Sequence, residues 1–151
     1  MLNETNQLGR VVLLMGGVSS EREVSLMSGA GVEKALKSRG VDVTVFDPKT
    51  SSLAELEAGR FDRAFIALHG KLGEDGTIQG VLNYLGIPYT GPGVAASATA
   101  IDKERTKTIW RAAGIPVPRG VLLHPDAEQA ALEKAIAELG ATGLVVKPAK
   151  D

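Results

Sequence analysis

Residues 10–25 read Arg-Val-Val-Leu-Leu-Met-Gly-Gly-Val-Ser-Ser-Glu-Arg-Glu-Val-Ser. The aliphatic run at the start has no alternation of apolar and polar residues, which is typical of a buried strand in a parallel sheet. Gly16-Gly17 ends this strand. Ser20 precedes Glu23 by three residues, the spacing of a capping box, and apolar residues then recur at helical spacing as far as Gly40. The stretch therefore predicts a strand, a tight turn and a helix.

Two further aliphatic runs follow this unit. Val41 to Phe46 predicts a second strand and Ala64 to Leu68 a third, with a weak helix around Leu53 to Glu57 between them. A later helix with apolar residues at helical spacing ends at Gly86. Because the strands are apolar throughout and separated by helices, the sequence predicts an α/β fold with a parallel sheet covered on both faces.

A change in composition marks a domain boundary. Residues 87–93 form a short extended piece and a rigid turn, and small residues fill positions 94–100. We therefore expect one domain at residues 1–93 and a second at residues 94–151.

The second domain is predicted to hold two helices and two strands. Asp102 caps one helix, Asp126 caps the other, and the strands span residues 120–123 and 144–147. Two strands form too small a sheet to stand alone. The sequence is thus interpreted as the front portion of something longer.

Composition limits the classes of function. The chain has 151 residues, 17 Lys+Arg against 18 Asp+Glu and a net charge of -1, which does not favour a nucleic-acid or membrane surface recognised by bulk charge. Hydrophobic residues make up 44%, as in a folded soluble protein, and no apolar run reaches transmembrane length. The absence of cysteine excludes a disulfide scaffold and a thiolate zinc site, and it suits a reducing cytoplasm. No signal-peptide pattern opens the chain.

The first candidate site is the turn between the first strand and its helix. Ligands of open α/β sheets bind at the carboxyl ends of the strands, and Glu21 supplies a carboxylate there that can hold a substrate ammonium. The alternative is an acidic residue that complements the helix dipole beside a Ser-Glu capping box. Neither the dinucleotide-binding nor the P-loop glycine pattern is present.

The second candidate is the loop after the third strand. His69 lies at the end of that strand, at the same sheet edge as Glu21, which makes a shared site geometrically reasonable. Glu74-Asp75 follows between Gly73 and Gly76. The alternative is a glycine-rich loop in which Asp75 caps the next helix and His69 is hydrogen-bonded locally.

Lys103 and Lys147 are the third candidate. Two lysines in one cleft suit a polyphosphate, because each supplies three donors and a positive charge. Single lysines are, however, usually solvated surface residues.

Together these residues resemble the D-alanine-D-alanine ligase family, a branch of the ATP-grasp carboxylate-amine ligases. The resemblance extends from about Val11 to the end of the chain. It rests on five blocks in order: residues 16–25, residues 67–80, Pro88-Tyr89-Thr90-Gly91, Asp102-Lys103 with Lys107, and Val146-Lys147-Pro148.

The resemblance implies a reaction and a role for each candidate. ATP and magnesium phosphorylate the carboxylate of one D-alanine, and the amine of a second D-alanine attacks the acyl phosphate to give the dipeptide used in peptidoglycan synthesis. Glu21 resembles the catalytic, substrate-binding acid that orients the first ammonium, and His69 the histidine lining the same site. Lys103 and Lys147 resemble the two lysines that contact ATP.

The resemblance also implies an architecture. A Rossmann-like, pre-ATP-grasp domain is followed by the incomplete start of an α+β ATP-grasp domain, and a homodimer in the cytoplasm is expected. The family's magnesium carboxylates belong to a later domain, so no metal ligand is assigned here. Two other interpretations stay open: an inactive fragment that binds substrate or dimerises, and a ligase that joins D-alanine to D-lactate or D-serine.

Overall fold

The computed structural model describes residues 8–140 and 143–150. Its three strands are β1 (Arg10–Leu14), β2 (Asp42–Phe46) and β3 (Arg63–Ile66), and they form a parallel sheet in the order β2-β1-β3. The helices are α1 (Arg22–Ser38), α2 (Leu53–Ala58), α3 (Thr77–Tyr84), α4 (Val94–Ala100), α5 (Lys103–Ala112) and α6 (Gln129–Leu139). The predicted α/β fold is confirmed.

The core lies around the central strand β1. Val12, Leu13 and Leu14 are fully buried, and the hydrophobic cluster continues to Leu56 of α2 and Leu82 of α3. Burying one such side chain contributes about 1.5–3 kcal/mol. This burial explains why the run after Arg10 carries no polar residue.

Helix α1 begins later than the capping-box spacing predicts. Its N-cap is Glu21, whose side chain makes no capping hydrogen bond, so the predicted Ser20-Glu23 box is wrong. The Oγ of Ser19 instead accepts a hydrogen bond from the Glu21 N–H at 3.2 Å. The helix therefore starts at Arg22 without the box.

An extended segment lengthens the sheet at the free edge of β3. Tyr89 forms a parallel bridge with Ala64, whose N–H donates to the Pro88 carbonyl at 2.8 Å. Helix α4 then contacts α3. From the sequence, residues 94–100 were expected only as a stretch of small residues.

The chain divides into two compact units between Ile101 and Asp102. This division falls eight residues after the expected domain boundary at 93/94. The assignment of a substrate-binding domain and an ATP-binding domain to the two parts stays a prediction.

The helices of the second unit differ in how well their starts were predicted. Asp102 caps α5 as expected, and its carboxylate accepts a hydrogen bond from the Arg105 N–H at 3.0 Å. The expected cap of α6 at Asp126 is wrong. The Ala127 N–H donates to the His124 carbonyl at 3.0 Å, so the chain makes a turn here and enters the helix only after Glu128.

The two strands predicted for the second unit are wrong. Residues 120–123 and 144–147 have no regular secondary structure and join no sheet within the described part of the chain. Val146 is 94% exposed. Branched aliphatic residues favour an extended backbone, but a strand also needs a hydrogen-bonding partner. None of the described helices is long and apolar enough to cross a membrane.

Candidate functional site at the carboxyl edge of the sheet

Two loops meet where β1 and β3 end. The buried hydroxyl of Ser25, on α1, donates to the Ala67 carbonyl at 2.6 Å and accepts from the Gly16 N–H at 2.8 Å. One side chain therefore ties α1 to the ends of both strands. These bonds fix the loops that carry Glu21 and His69.

An ion pair holds the turn that precedes Glu21. The Arg22 guanidinium contacts the Asp47 carboxylate at 2.7 Å, and the Gly17 N–H donates to the same carboxylate at 2.9 Å. Burial acts to raise the pKa of Asp47, but hydrogen bonds from Arg22, Gly17 and Lys49 outweigh it and lower the pKa to about 2. Asp47 is therefore ionised at neutral pH and holds the glycine turn in place.

The carboxylate of Glu21 lies close to Gly70. A Cβ placed on Gly70 would be 2.9 Å from Oε2 of Glu21 and 3.2 Å from Cβ of Ser19. Gly70 also has φ +65°, a conformation that side chains disfavour. Glycine at position 70 thus lets the Glu21 carboxylate approach the loop that carries His69.

His69 offers an unused polar atom at the same edge. Its Nε2 is buried and makes no hydrogen bond with any residue in the described part of the chain, while its carbonyl accepts from the Ser19 hydroxyl at 2.7 Å. A buried polar atom without a partner costs about 1–3 kcal/mol, a cost that a hydrogen bond to Nε2 would remove. The structure therefore brings Glu21 and His69 to one place, and their roles stay predictions.

The carboxylates of Glu74 and Asp75 stabilise the loop that follows β3. Glu74 accepts from the Gly70 N–H at 2.7 Å, and Asp75 accepts from the Leu72 and Thr77 N–H groups, both at 2.9 Å. Burial acts to raise the pKa of Asp75, but the hydrogen bonds from Leu72 and Thr77 lower it overall. Within residues 8–140 and 143–150, no group of three or more His, Asp or Glu side chains is placed to hold a metal ion.

The two candidate lysines belong to the second unit. The Lys103 N–H donates to the Ala149 carbonyl at 3.0 Å, and Asp102 bridges Lys150. The Arg105 N–H lowers the pKa of Asp102, burial opposes this, and Lys150 lowers it further. The antiparallel β-bridge between Asp102 and Lys150 places the segment that carries the exposed Lys147 next to the start of α5.

Sequence reasoning missed the residues that support the site. Asp47 follows β2 at the same sheet edge as Glu21, so strand topology could have singled it out. Ser19 and Ser25 carried no such signal. Their hydrogen bonds span 50 and 42 residues of sequence and depend on how the loops fold.

The first unit is thus a small parallel α/β domain with an acidic and a histidine residue in the loops at its carboxyl edge, where open α/β sheets bind their ligands. Residues 46–92 match the family model described as "D-ala D-ala ligase N-terminus". This stretch of the chain is therefore similar to the N-terminal part of D-alanine-D-alanine ligases.

Curated relatives match almost the whole chain. The D-alanine--D-alanine ligase of Acidovorax ebreus is 57% identical over 148 residues, which are 98% of this chain and 43% of that protein. The enzyme of the same name from Laribacter hongkongensis is 55% identical over 150 residues, 98% of this chain and 47% of that protein. The chain therefore spans less than half the length of these relatives.

Solved structures show the same similarity. The Aeromonas hydrophila D-alanine-D-alanine ligase superposes with a TM-score of 0.72 at 31% identity, over 87% of this chain and 51% of that chain. The Bacillus anthracis ligase complexed with ATP gives a TM-score of 0.69 at 38% identity, over 83% of this chain and 44% of that chain.

Proposed function

We propose that this chain supplies the D-alanine-binding edge and two ATP-contacting lysines of a D-alanine-D-alanine ligase. In the reaction, ATP phosphorylates the carboxylate of the first D-alanine to an acyl phosphate. The amine of the second D-alanine attacks the acyl carbon, phosphate leaves and the dipeptide is released. The observation that carries the proposal is the Glu21 carboxylate close to Gly70, next in sequence to His69, whose Nε2 has no partner among the described residues.

Glu21 and His69 bind the first D-alanine in this proposal. The Glu21 carboxylate pairs with the substrate ammonium, and Nε2 of His69 forms a hydrogen bond with a polar atom of the same substrate. Ser19 holds the backbone that carries each of these side chains, since its hydroxyl bonds to both loops. A fixed site orients the amino acid before the reaction, which reduces the entropic cost of the encounter.

Lys103 and Lys147 contact the phosphates of ATP in this proposal. Their positive charges offset the negative charge of the triphosphate and of the phosphoryl group as it is transferred. The structure of the Bacillus anthracis relative in complex with ATP supports the choice of nucleotide. Magnesium accompanies ATP, but the described residues form no site for it and no step is assigned to it here.

The whole enzyme is proposed to act as a homodimer in the cytoplasm, where ATP is formed and used. It needs no nucleic acid and no membrane as a partner. Sedimentation velocity of the whole protein tests the dimer. A single species with twice the mass of one chain is expected, and a monomer at micromolar concentration would contradict it.

The function is tested by assaying the whole protein, made from its native gene, with ATP, magnesium and D-alanine. Phosphate and D-alanyl-D-alanine are expected in equal amounts, and L-alanine serves as the control substrate. D-lactate and D-serine, offered as second substrates beside D-alanine, test whether the enzyme joins other acceptors. Absence of D-alanine-dependent phosphate release would contradict the proposed function.

A further inference from the structure

The hydroxyl of Ser19 joins the two residues of the candidate D-alanine site. Its Oγ accepts a hydrogen bond from the Glu21 N–H at 3.2 Å and donates one to the His69 carbonyl at 2.7 Å. The hydroxyl has one hydrogen atom, which it donates in the hydrogen bond to the His69 carbonyl. Its lone pair is therefore free to accept from the amide, so one atom serves both loops.

The surroundings of Ser19 leave this hydroxyl little freedom. Ser19 is half-buried, and its Cβ and Oγ would lie 3.2 and 3.3 Å from a Cβ placed on Gly70. The same built Cβ would be 2.9 Å from Oε2 of Glu21. A side chain at position 70 would therefore meet both Ser19 and the Glu21 carboxylate.

The neighbouring serine makes no such link. Ser20 is exposed, and its hydroxyl makes no hydrogen bond with another residue of the described chain. The two adjacent serines thus have the same chemistry but different surroundings. This difference makes Ser20 a matched control.

We propose that Ser19 is a positioning residue that sets the distance between the Glu21 carboxylate and the His69 ring. It does not touch the substrate in this account. It fixes the backbone from which each of the two side chains projects. It therefore affects the binding of the first D-alanine and not that of ATP. The inference rests on the proposed role of Glu21 and His69 in binding the first D-alanine.

The test compares Ser19→Ala, Ser19→Thr and Ser20→Ala in the whole enzyme. Loss of both hydrogen bonds in Ser19→Ala is expected to raise the KM for the first D-alanine about tenfold, while the KM for ATP changes less than about twofold. Ser19→Thr retains the hydroxyl and is expected to restore most of the D-alanine affinity. Ser20→Ala is expected to match the wild type in both constants.

A second measurement separates positioning from stability. Hydrogen exchange of the whole enzyme is expected to show faster exchange of the Glu21 amide in Ser19→Ala, with unchanged exchange in strand β1. An unchanged KM for D-alanine in Ser19→Ala overturns the inference. The inference is also overturned if Ser19→Ala raises the KM values for D-alanine and ATP equally. It is overturned as well if the KM for D-alanine in Ser19→Thr is as high as in Ser19→Ala. A wild-type enzyme without D-alanine-dependent activity refutes the proposed function instead.

Discussion

At the scale of single residues, Asp47 anchors the turn that leads to Glu21. Its carboxylate accepts from the Arg22 guanidinium and from the backbone amides of Gly17 and Lys49. The Asp47 side chain is 15% exposed, so solvent screens this pair less than a surface ion pair. The turn is therefore coupled to the charge on Asp47.

The Asp47→Asn variant tests this coupling through its pH dependence. The pKa of Asp47 is lowered from its ordinary value of 3.8 to about 2, so its contribution to stability is present above pH 3.8 and is lost as the pH falls towards 2. That contribution is about 2 kcal/mol at neutral pH. Urea unfolding followed by circular dichroism at pH 5, 4 and 3 is expected to give a flatter pH dependence for the variant than for the wild type.

Asp42→Asn is the matched control for this experiment. Asp42 also pairs with an arginine, but the contact with Arg10 is 3.6 Å and the Asp42 side chain is 66% exposed. Exposed pairs contribute about 0–1 kcal/mol. If Asp47→Asn loses stability with falling pH as steeply as the wild type and Asp42→Asn do, the ion pair does not hold the turn.

At the scale of elements, α1 approaches the sheet through a glycine. Gly29 is buried, and a Cβ placed on it would lie 2.6 Å from Cβ of Met15, immediately after β1. Gly31, two residues later in the same helix, is exposed and has open space around it. The helix therefore contains one glycine required by packing and one that is not.

Replacing each glycine with alanine is expected to change stability in opposite directions. Gly29→Ala forces α1 away from Met15 and is expected to destabilise by about 1–3 kcal/mol. Gly31→Ala removes a flexible residue from a helix interior and is expected to stabilise by up to about 1 kcal/mol. Urea unfolding measures both changes. Equal effects of the two variants would show that Gly29 does not set the contact between α1 and β1.

The sequence predicted the three strands that form the sheet of the first unit. Strands β1, β2 and β3 were predicted because apolar runs that end at turn residues are what a buried parallel sheet requires. The strands at 120–123 and 144–147 were predicted from the same pattern, but no described segment pairs with them. A residue pattern gives the preferred backbone conformation and not the hydrogen-bonding partner.

The candidate site was predictable to a similar degree. The shared edge of Glu21 and His69 follows from strand direction, which the sequence indicates through its order of elements. The Ser19 bridge and the orphan Nε2 of His69 depend on loop conformations set by several glycines with positive φ. Such contacts carry no periodic signal in the sequence.

At the scale of the whole molecule, the buried core is concentrated in the first unit. Among the described residues beyond Ile101, Ala135 is the one buried hydrophobic residue. Leu122 and Val145 are 52% and 80% exposed. The first unit therefore holds most of the stability of this chain.

Limited trypsin digestion of the 151-residue chain tests this distribution. The earliest cut is expected after Arg119, in the irregular stretch before α6, while residues 10–100 resist much longer. Mass spectrometry of the products identifies the order of the cuts. Cleavage within residues 10–100 as early as at Arg119 would contradict the account of where the core lies.

The most direct test of the central claim is the kinetics of Glu21→Gln in the whole enzyme. Loss of a charged contact to the substrate ammonium is expected to raise the KM for the first D-alanine about ten- to a hundredfold and to leave the KM for ATP nearly unchanged. Glu23→Gln, a change to the neighbouring carboxylate in the first turn of α1, is the control and is expected to match the wild type. An unchanged Michaelis constant and turnover in Glu21→Gln would contradict the role of the carboxyl edge as the D-alanine site.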